Sequence, residues 1–200
     1  KKYWDLYKRE DIVVAPFQDK ITNSVSVAYH NAGEIRAYTD IPPLLSFTDQ
    51  KDFGITLPLE KQKELIHGYY AAISYMDAQV GIVLDKLQEL GLTKNTIIVL
   101  WGDHGWHLGD HDMWGKHTNF EQATRSPLIF AGPSLKGGGQ SKSLSEHLDV
   151  FPTICDLANL PIPAQLQGKS LKSVMQNNKA SVKEFSISQY PRKLKGTEAK

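Results

Sequence analysis

From Leu59 to Leu90 the apolar residues Leu59, Ile66, Tyr70, Ile73, Val80, Leu84 and Leu87 recur at helical spacing, with Glu60, Lys61, Lys63, Glu64 and Lys86 filling the other face. This spacing predicts one long amphipathic helix over 59–90. Pro58 suits its first turn, and Gly91 supplies the left-handed residue that stops it. The pattern then changes period. Thr96 to Trp101 reads as a short buried strand and Pro127-Leu128-Ile129-Phe130-Ala131 as a second, with a helical turn over 120–124 between them. Helix, strand, loop, strand is α/β grammar, and the order predicts a mostly parallel sheet flanked by helices.

On either side of this block the periodicity is weaker. Residues 1–58 mix short apolar runs with Pro16, Pro42, Pro43 and Pro58, which reads as long loops forming a site wall, with a turn of helix near Trp4 to Arg9. Beyond the second strand, Asp149 is the expected cap of a helix over 149–158 with Pro152 in its first turns. Cys155, the single cysteine, falls in that helix's apolar pattern and reads as a packed residue; alone, it excludes an internal disulfide framework. Residues 161–168 read as a linker, 171–175 as a short helix, 185–189 as a strand and 193–200 as a frayed end.

The chemistry is concentrated behind the first strand. Trp101 to Glu121 reads W-G-D-H-G-W-H-L-G-D-H-D-M-W-G-K-H-T-N-F-E, with His104, His107, His111 and His117 beside Asp103, Asp110, Asp112 and Lys116. A polar loop opening from a strand end is where α/β folds bind ligands. Gly102 and Gly105 let the backbone turn, so that Asp103 and His104 can serve one centre and hold a cation. A lone lysine such as Lys116 is either a surface charge or a clamp for an anion. His107, His111, Asp112 and His117 read more readily as a solvated loop face. Composition narrows the partner only by exclusion. A net charge of +1 gives no case for nucleic acid, and no run of about 18 apolar residues offers a membrane span.

Asp103-His104-Gly105-Trp106, Leu108-Gly109-Asp110-His111, Trp114, Lys116, Asn119-Phe120-Glu121, Ala123-Thr124 and Pro127-Leu128-Ile129 together resemble the second signature region of the sulfatase family, within the alkaline phosphatase-like superfamily. Within that family they most resemble the iduronate 2-sulfatase branch. Glu146-His147-Leu148-Asp149-Val150-Phe151-Pro152-Thr153 is similar to a family segment that follows the metal loop. The resemblance implies that Asp103 and His104 are calcium ligands, that Lys116 is the sulfate clamp with His104 beside the chemistry, and that Trp106 and His147 face the substrate. It implies sulfuric ester hydrolysis on sulfated carbohydrates, in a periplasmic, secreted or lysosomal setting.

The resemblance also implies what lies elsewhere. The family's nucleophile is a formylglycine made in a C/S-x-P-x-R motif, and no proline in this sequence has Cys or Ser two residues before it. Calcium takes about six to eight oxygen ligands, more than Asp103 and His104 supply. The expected partner is therefore the N-terminal half of a sulfatase, bringing the nucleophile and the remaining acidic ligands, and the chain alone is expected to be inactive. By the same resemblance, 1–176 belongs to the large α/β domain, and 177–200 forms a linker and the start of a smaller C-terminal subdomain. Two other readings stand beside this one. The first is a phosphodiesterase or phosphonate hydrolase of the same superfamily, since sulfate and phosphate esters share tetrahedral geometry. The second is a non-catalytic carbohydrate-binding fragment using the tryptophans as stacking faces.

Overall fold

The computed structural model of the chain describes residues 1–30, 32–41 and 57–191. The loops expected over 42–56 and the frayed end expected over 193–200 lie outside the described residues. The main elements are helix α1 (Gly33–Arg36), helix α2 (Leu59–Glu89), strands β1 (Ile98–Trp101), β2 (His107–Leu108) and β3 (Trp114–Gly115), helix α3 (Glu121–Thr124), strand β4 (Leu128–Ala131) and helices α4 (Val150–Leu157) and α5 (Lys172–Gln176). Among the described residues the chain divides into two units. One takes in Lys1–Leu84, His104–Ser126 and the segment from Gln189; the other takes in Asp85–Asp103 and Pro127–Ser188.

The first unit is built on α2. The amides of Lys61 and Gln62 donate to the Pro58 carbonyl at 2.9 and 3.0 Å, so the helix starts where proline, lacking an amide of its own, costs nothing. Its N-terminal half buries Gln62, Ile66, His67 and Ala71, and the Trp4 ring stacks on His67 at 3.9 Å. The turn expected near Trp4 is present as a 3-10 turn over Trp4–Leu6. Residues 1–41 are more than a wall. Ile12, Ala32, Ile35 and Ile41 form a core cluster with Leu57, Ile66 and Trp114. Farther along α2, Ile73, Tyr75, Met76, Ile82 and Val83 are exposed, so the apolar stripe runs well past the part that packs.

Within the same unit β2 and β3 form an antiparallel hairpin, pairing His107 with Gly115 and Leu108 with Trp114. Met113, Trp114 and His107 on this hairpin are fully buried. His107 Nε2 lies 2.8 Å from Thr118 Oγ1, and its Nδ1 is buried without a hydrogen-bond partner. Burial pushes the His107 pKa from 6.5 down to about 4, against the attraction of Asp110.

In the second unit α2 ends as expected. Gly91 takes a φ of 70°, and the Leu92 amide donates to the Leu87 carbonyl at 3.1 Å. Strands β1 and β4 pair antiparallel, Ile98 opposite Ala131 and Trp101 opposite Leu128. The α/β class stands, but a parallel pairing of these strands does not. A parallel return needs a crossover, usually a helix, and the segment between them carries the β2–β3 hairpin, a 3-10 turn over Asp110–Asp112 and the single turn of α3. The expected burial is also partial, with Trp101 at 51% and Ile129 at 57% exposure. No strand forms over 185–189. Phe185 and Ile187 are exposed there, and the Ile187 amide donates to Glu146 Oε1 at 3.0 Å instead of to a neighbouring strand.

Asp149 does not cap α4 with its side chain; it closes the preceding turn. Its Oδ2 accepts the Glu146 amide, its Oδ1 accepts the Lys169 amide, and the Lys183 ammonium sits 2.7 Å from it. Lys183 also meets Glu146 at 2.5 Å. Burial works against the Lys183 charge, but the two carboxylates outweigh it and hold its pKa above the ordinary lysine value. Cys155 is buried in α4, as its place in the pattern predicts. No helix among the described residues is long and apolar enough to cross a membrane.

Two outcomes follow for stability. His107 stays neutral in the folded chain down to about pH 4 but takes up a proton near 6.5 once exposed. Its contribution is therefore intact above 6.5 and erodes as pH falls toward 4, by up to roughly 3 kcal/mol. Urea unfolding across that window measures the loss, which His107→Gln is expected to flatten. At pH 7, Lys183→Met strands the fully buried Asp149 carboxylate and is expected to cost roughly 3 kcal/mol. A loss under about 1 kcal/mol would mean that water already solvates this pair.

Candidate functional site

The loop beyond β1 is set from both ends. In the second unit the ladder runs one step past Trp101, the Gly102 amide donating to the Pro127 carbonyl at 2.9 Å. His147, expected to face substrate, donates from Nε2 to the Gly102 carbonyl at 2.9 Å and so fixes the backbone that leads into Asp103. Asp103 itself is exposed.

In the first unit the Gly105 amide donates to the Ala123 carbonyl at 2.8 Å. Gly105 is required by close approach: a Cβ there would run into the Gln122 carbonyl oxygen. His104 is half-buried, and its Nδ1 lies 2.9 Å from the Gly105 carbonyl oxygen. Since a carbonyl only accepts, Nδ1 carries the hydrogen, and in the neutral ring Nε2 keeps the lone pair that a metal needs.

Lys116 follows the hairpin directly. Gly115 has a φ of 100°, a conformation that favours glycine, and it turns the chain out of β3 toward α1. There the Lys116 ammonium pairs with Glu34 Oε1 at 3.0 Å and lies 5.2 Å from the centre of the Trp106 ring. Trp106 in turn stacks against Tyr69 of α2 at 6.4 Å. Both members of the ion pair are about 30% exposed, 27% for Lys116 and 31% for Glu34. The amine is thus held yet open to solvent. Trp106 serves as its platform.

The rings of His107 and His117 lie 6.3 and 6.2 Å from that of the buried His30. His111 Nδ1 lies 2.8 Å from the Asp19 carbonyl oxygen, His117 stacks on Tyr190 at 5.3 Å, and His107 is locked inside the hairpin. Among the described residues no three His, Cys, Asp or Glu side chains gather into a metal cluster. Asp103 and His104 fit a divalent cation as part of a ligand set: one exposed carboxylate followed by an imidazole whose lone pair is on Nε2. They do not close such a site by themselves. A cavity of about 350 Å³ opens beside the same loop, lined by Val27, Ala28, Asn119, Phe120 and Tyr190.

Glu34 is the functional candidate that the sequence pattern does not reveal. Its helix is only four residues long, too short to show a period. The available signal was a charged residue beside an apolar one in Gly33-Glu34-Ile35-Arg36, in a stretch that otherwise reads as loop.

The family model Sulfatase matches residues 16–160. A sulfatase of Formosa agariphila is 35% identical over 194 residues, 95% of this chain and 35% of that protein. Human iduronate 2-sulfatase is 33% identical over 188 residues, 82% of this chain and 34% of its own length. Among solved structures, a phosphonate monoester hydrolase from Silicibacter pomeroyi superposes with a TM-score of 0.68 at 27% identity, over 91% of this chain and 35% of that one. The chain therefore spans about a third of the length of these relatives. With the family model matching well over half of its residues, the chain belongs to the sulfatase family.

Proposed function

We propose that this chain carries the metal- and sulfate-binding side of a sulfuric ester hydrolase active on sulfated glycans. The observation that supports it most is Lys116, an ammonium held by Glu34 and Trp106 at the end of a buried hairpin, its side chain 27% exposed. A preorganised cation of this kind stabilises charge on a tetrahedral oxyanion without having to be ordered during the reaction. In this reading Lys116 donates hydrogen bonds to a sulfuryl oxygen, and Trp106 fixes the direction of approach.

Asp103 and His104, consecutive in the chain, would hold the divalent cation, calcium by family resemblance, with further oxygen ligands supplied from outside this chain. When bound, such an ion acts as a Lewis acid toward the ester oxygens. His147 keeps the Gly102 carbonyl in place and so orients the metal loop. The nucleophile is assigned to an N-terminal half, whose docking is supported by the apolar, exposed Ile73, Tyr75, Met76, Ile82 and Val83 of α2. Residues 1–176 then belong to the large domain, 177–200 open the smaller one, and the setting is periplasmic, secreted or lysosomal.

The likeness to a phosphonate monoester hydrolase favours one second reading, hydrolysis of phosphonate or phosphate esters at the same clamp. A non-catalytic sugar-binding fragment has less support. Trp114 is buried, Trp4 is stacked on His67, and Trp106 lies between Tyr69 and Lys116, which leaves Trp101, 51% exposed, as the one open face among the four tryptophans.

In the full-length polypeptide carrying this chain, Lys116→Ala is expected to lower kcat/KM for an aryl sulfate by about 100-fold or more. Unchanged turnover would remove Lys116 from the site. Asp103→Asn is expected to lower bound calcium, measured by atomic absorption, below one per chain; stoichiometric calcium would exclude Asp103 as a ligand.

A further inference from the structure

We infer that Glu34 tunes the Lys116 clamp for singly charged esters, selecting sulfate monoesters and other monoanions over phosphate monoesters. The inference rests on the reading of Lys116 as the oxyanion clamp. Glu34 sits on α1 immediately before Ile35, which is buried in the core with Ala32, so its position is set by packing. One carboxylate oxygen, Oε1, pairs with the Lys116 ammonium at 3.0 Å. The other, Oε2, is buried with no hydrogen-bond partner. A Cβ at Gly115 would lie 3.8 Å from this Oε2, so the turn into Lys116 passes directly over the carboxylate.

The electrostatic consequence is general. An ammonium paired at contact distance with a carboxylate presents hydrogen-bond donors but little net positive field. A sulfate monoester carries one negative charge and meets a nearly neutral pair. A phosphate monoester, with a second pKa near 6, carries about −1.5 to −2 at pH 7 and meets additional repulsion from the carboxylate. Phosphonate monoesters are monoanions, like sulfate esters, and pass the same filter. Specificity here comes from a repulsive element built beside the attractive one.

Two substitutions separate charge from position. Glu34→Gln keeps an oxygen within reach of the Lys116 amine but removes the charge. Glu34→Asp keeps the charge but withdraws it by one methylene. In the full-length enzyme, kcat and KM are measured for aryl sulfate, aryl phosphate and an aryl phosphonate monoester. Glu34→Gln is expected to raise the ratio of aryl phosphate to aryl sulfate kcat/KM by about tenfold or more, with the phosphonate-to-sulfate ratio unchanged. Glu34→Asp is expected to keep both ratios and lose kcat through misplacement of the amine. An unchanged phosphate-to-sulfate ratio in Glu34→Gln, with Lys116→Ala still crippling sulfate turnover, overturns this inference and leaves the clamp intact. Full sulfate turnover in Lys116→Ala overturns the clamp itself. Should Glu34→Gln fail to fold, the wild-type enzyme carries the test. Its phosphate-to-sulfate ratio is expected to fall about tenfold from about pH 5 to pH 7, as the phosphate ester loses its second proton; a flat ratio contradicts the inference.

Discussion

Burial of the Trp114 indole is the constraint on which the candidate site depends. This side chain is 1% exposed and packs with Ile12, Ala32, Ile35, Ile41, Leu57 and Ile66, drawing α1, α2 and the β2–β3 hairpin onto one centre. Removing roughly 200 Å² of tryptophan surface from water supplies on the order of 5 kcal/mol of driving force before ordering costs are met. Lys116 stands two residues after this anchor, and Glu34 stands one residue before Ile35. Apolar packing thus brings two opposite charges within 3.0 Å. The ion pair by itself, about 30% exposed, has too little energy to organise the segment.

The second unit reaches the same end by different means. Asp149, fully buried, accepts amides from Glu146 and Lys169 and pairs with Lys183. Buried carboxylates of this kind persist only when their hydrogen-bonding capacity is met, and here backbone amides and an ammonium meet it. The turn that they lock carries His147, whose ring holds the Gly102 carbonyl. A charged network far along the sequence therefore fixes the strand end from which Asp103 projects.

How much of this was legible in the sequence depended on periodicity. Leu59 to Glu89 announced itself through its apolar spacing, Pro58 and Gly91, and the two strands through their short apolar runs. The density of ligand types at Asp103, His104 and Lys116 marked the loop as the candidate site. The antiparallel pairing of β1 with β4 was not legible, because a strand's pattern records which faces are apolar and not the direction of its neighbour. Nor was the core role of Ile12, Ala32, Ile35 and Ile41, whose short turns are too brief to leave a repeat. The histidines were ambiguous for a further reason: His107, His111 and His117 share one loop in sequence, yet the hairpin sends one inward and ties the others to Asp19 and Tyr190.

The central claim is that the loop from Asp103 to Lys116 binds a cation at one end and an oxyanion at the other. A crystal structure of the full-length polypeptide grown with calcium and a poorly hydrolysed sulfate ester tests it most directly. The expected result is an Asp103 carboxylate oxygen on the ion and the Lys116 ammonium within hydrogen-bonding distance of a sulfuryl oxygen, still touching Glu34. Density for the ester bound elsewhere, with Lys116 engaged by Glu34 alone and Asp103 facing solvent, would contradict it.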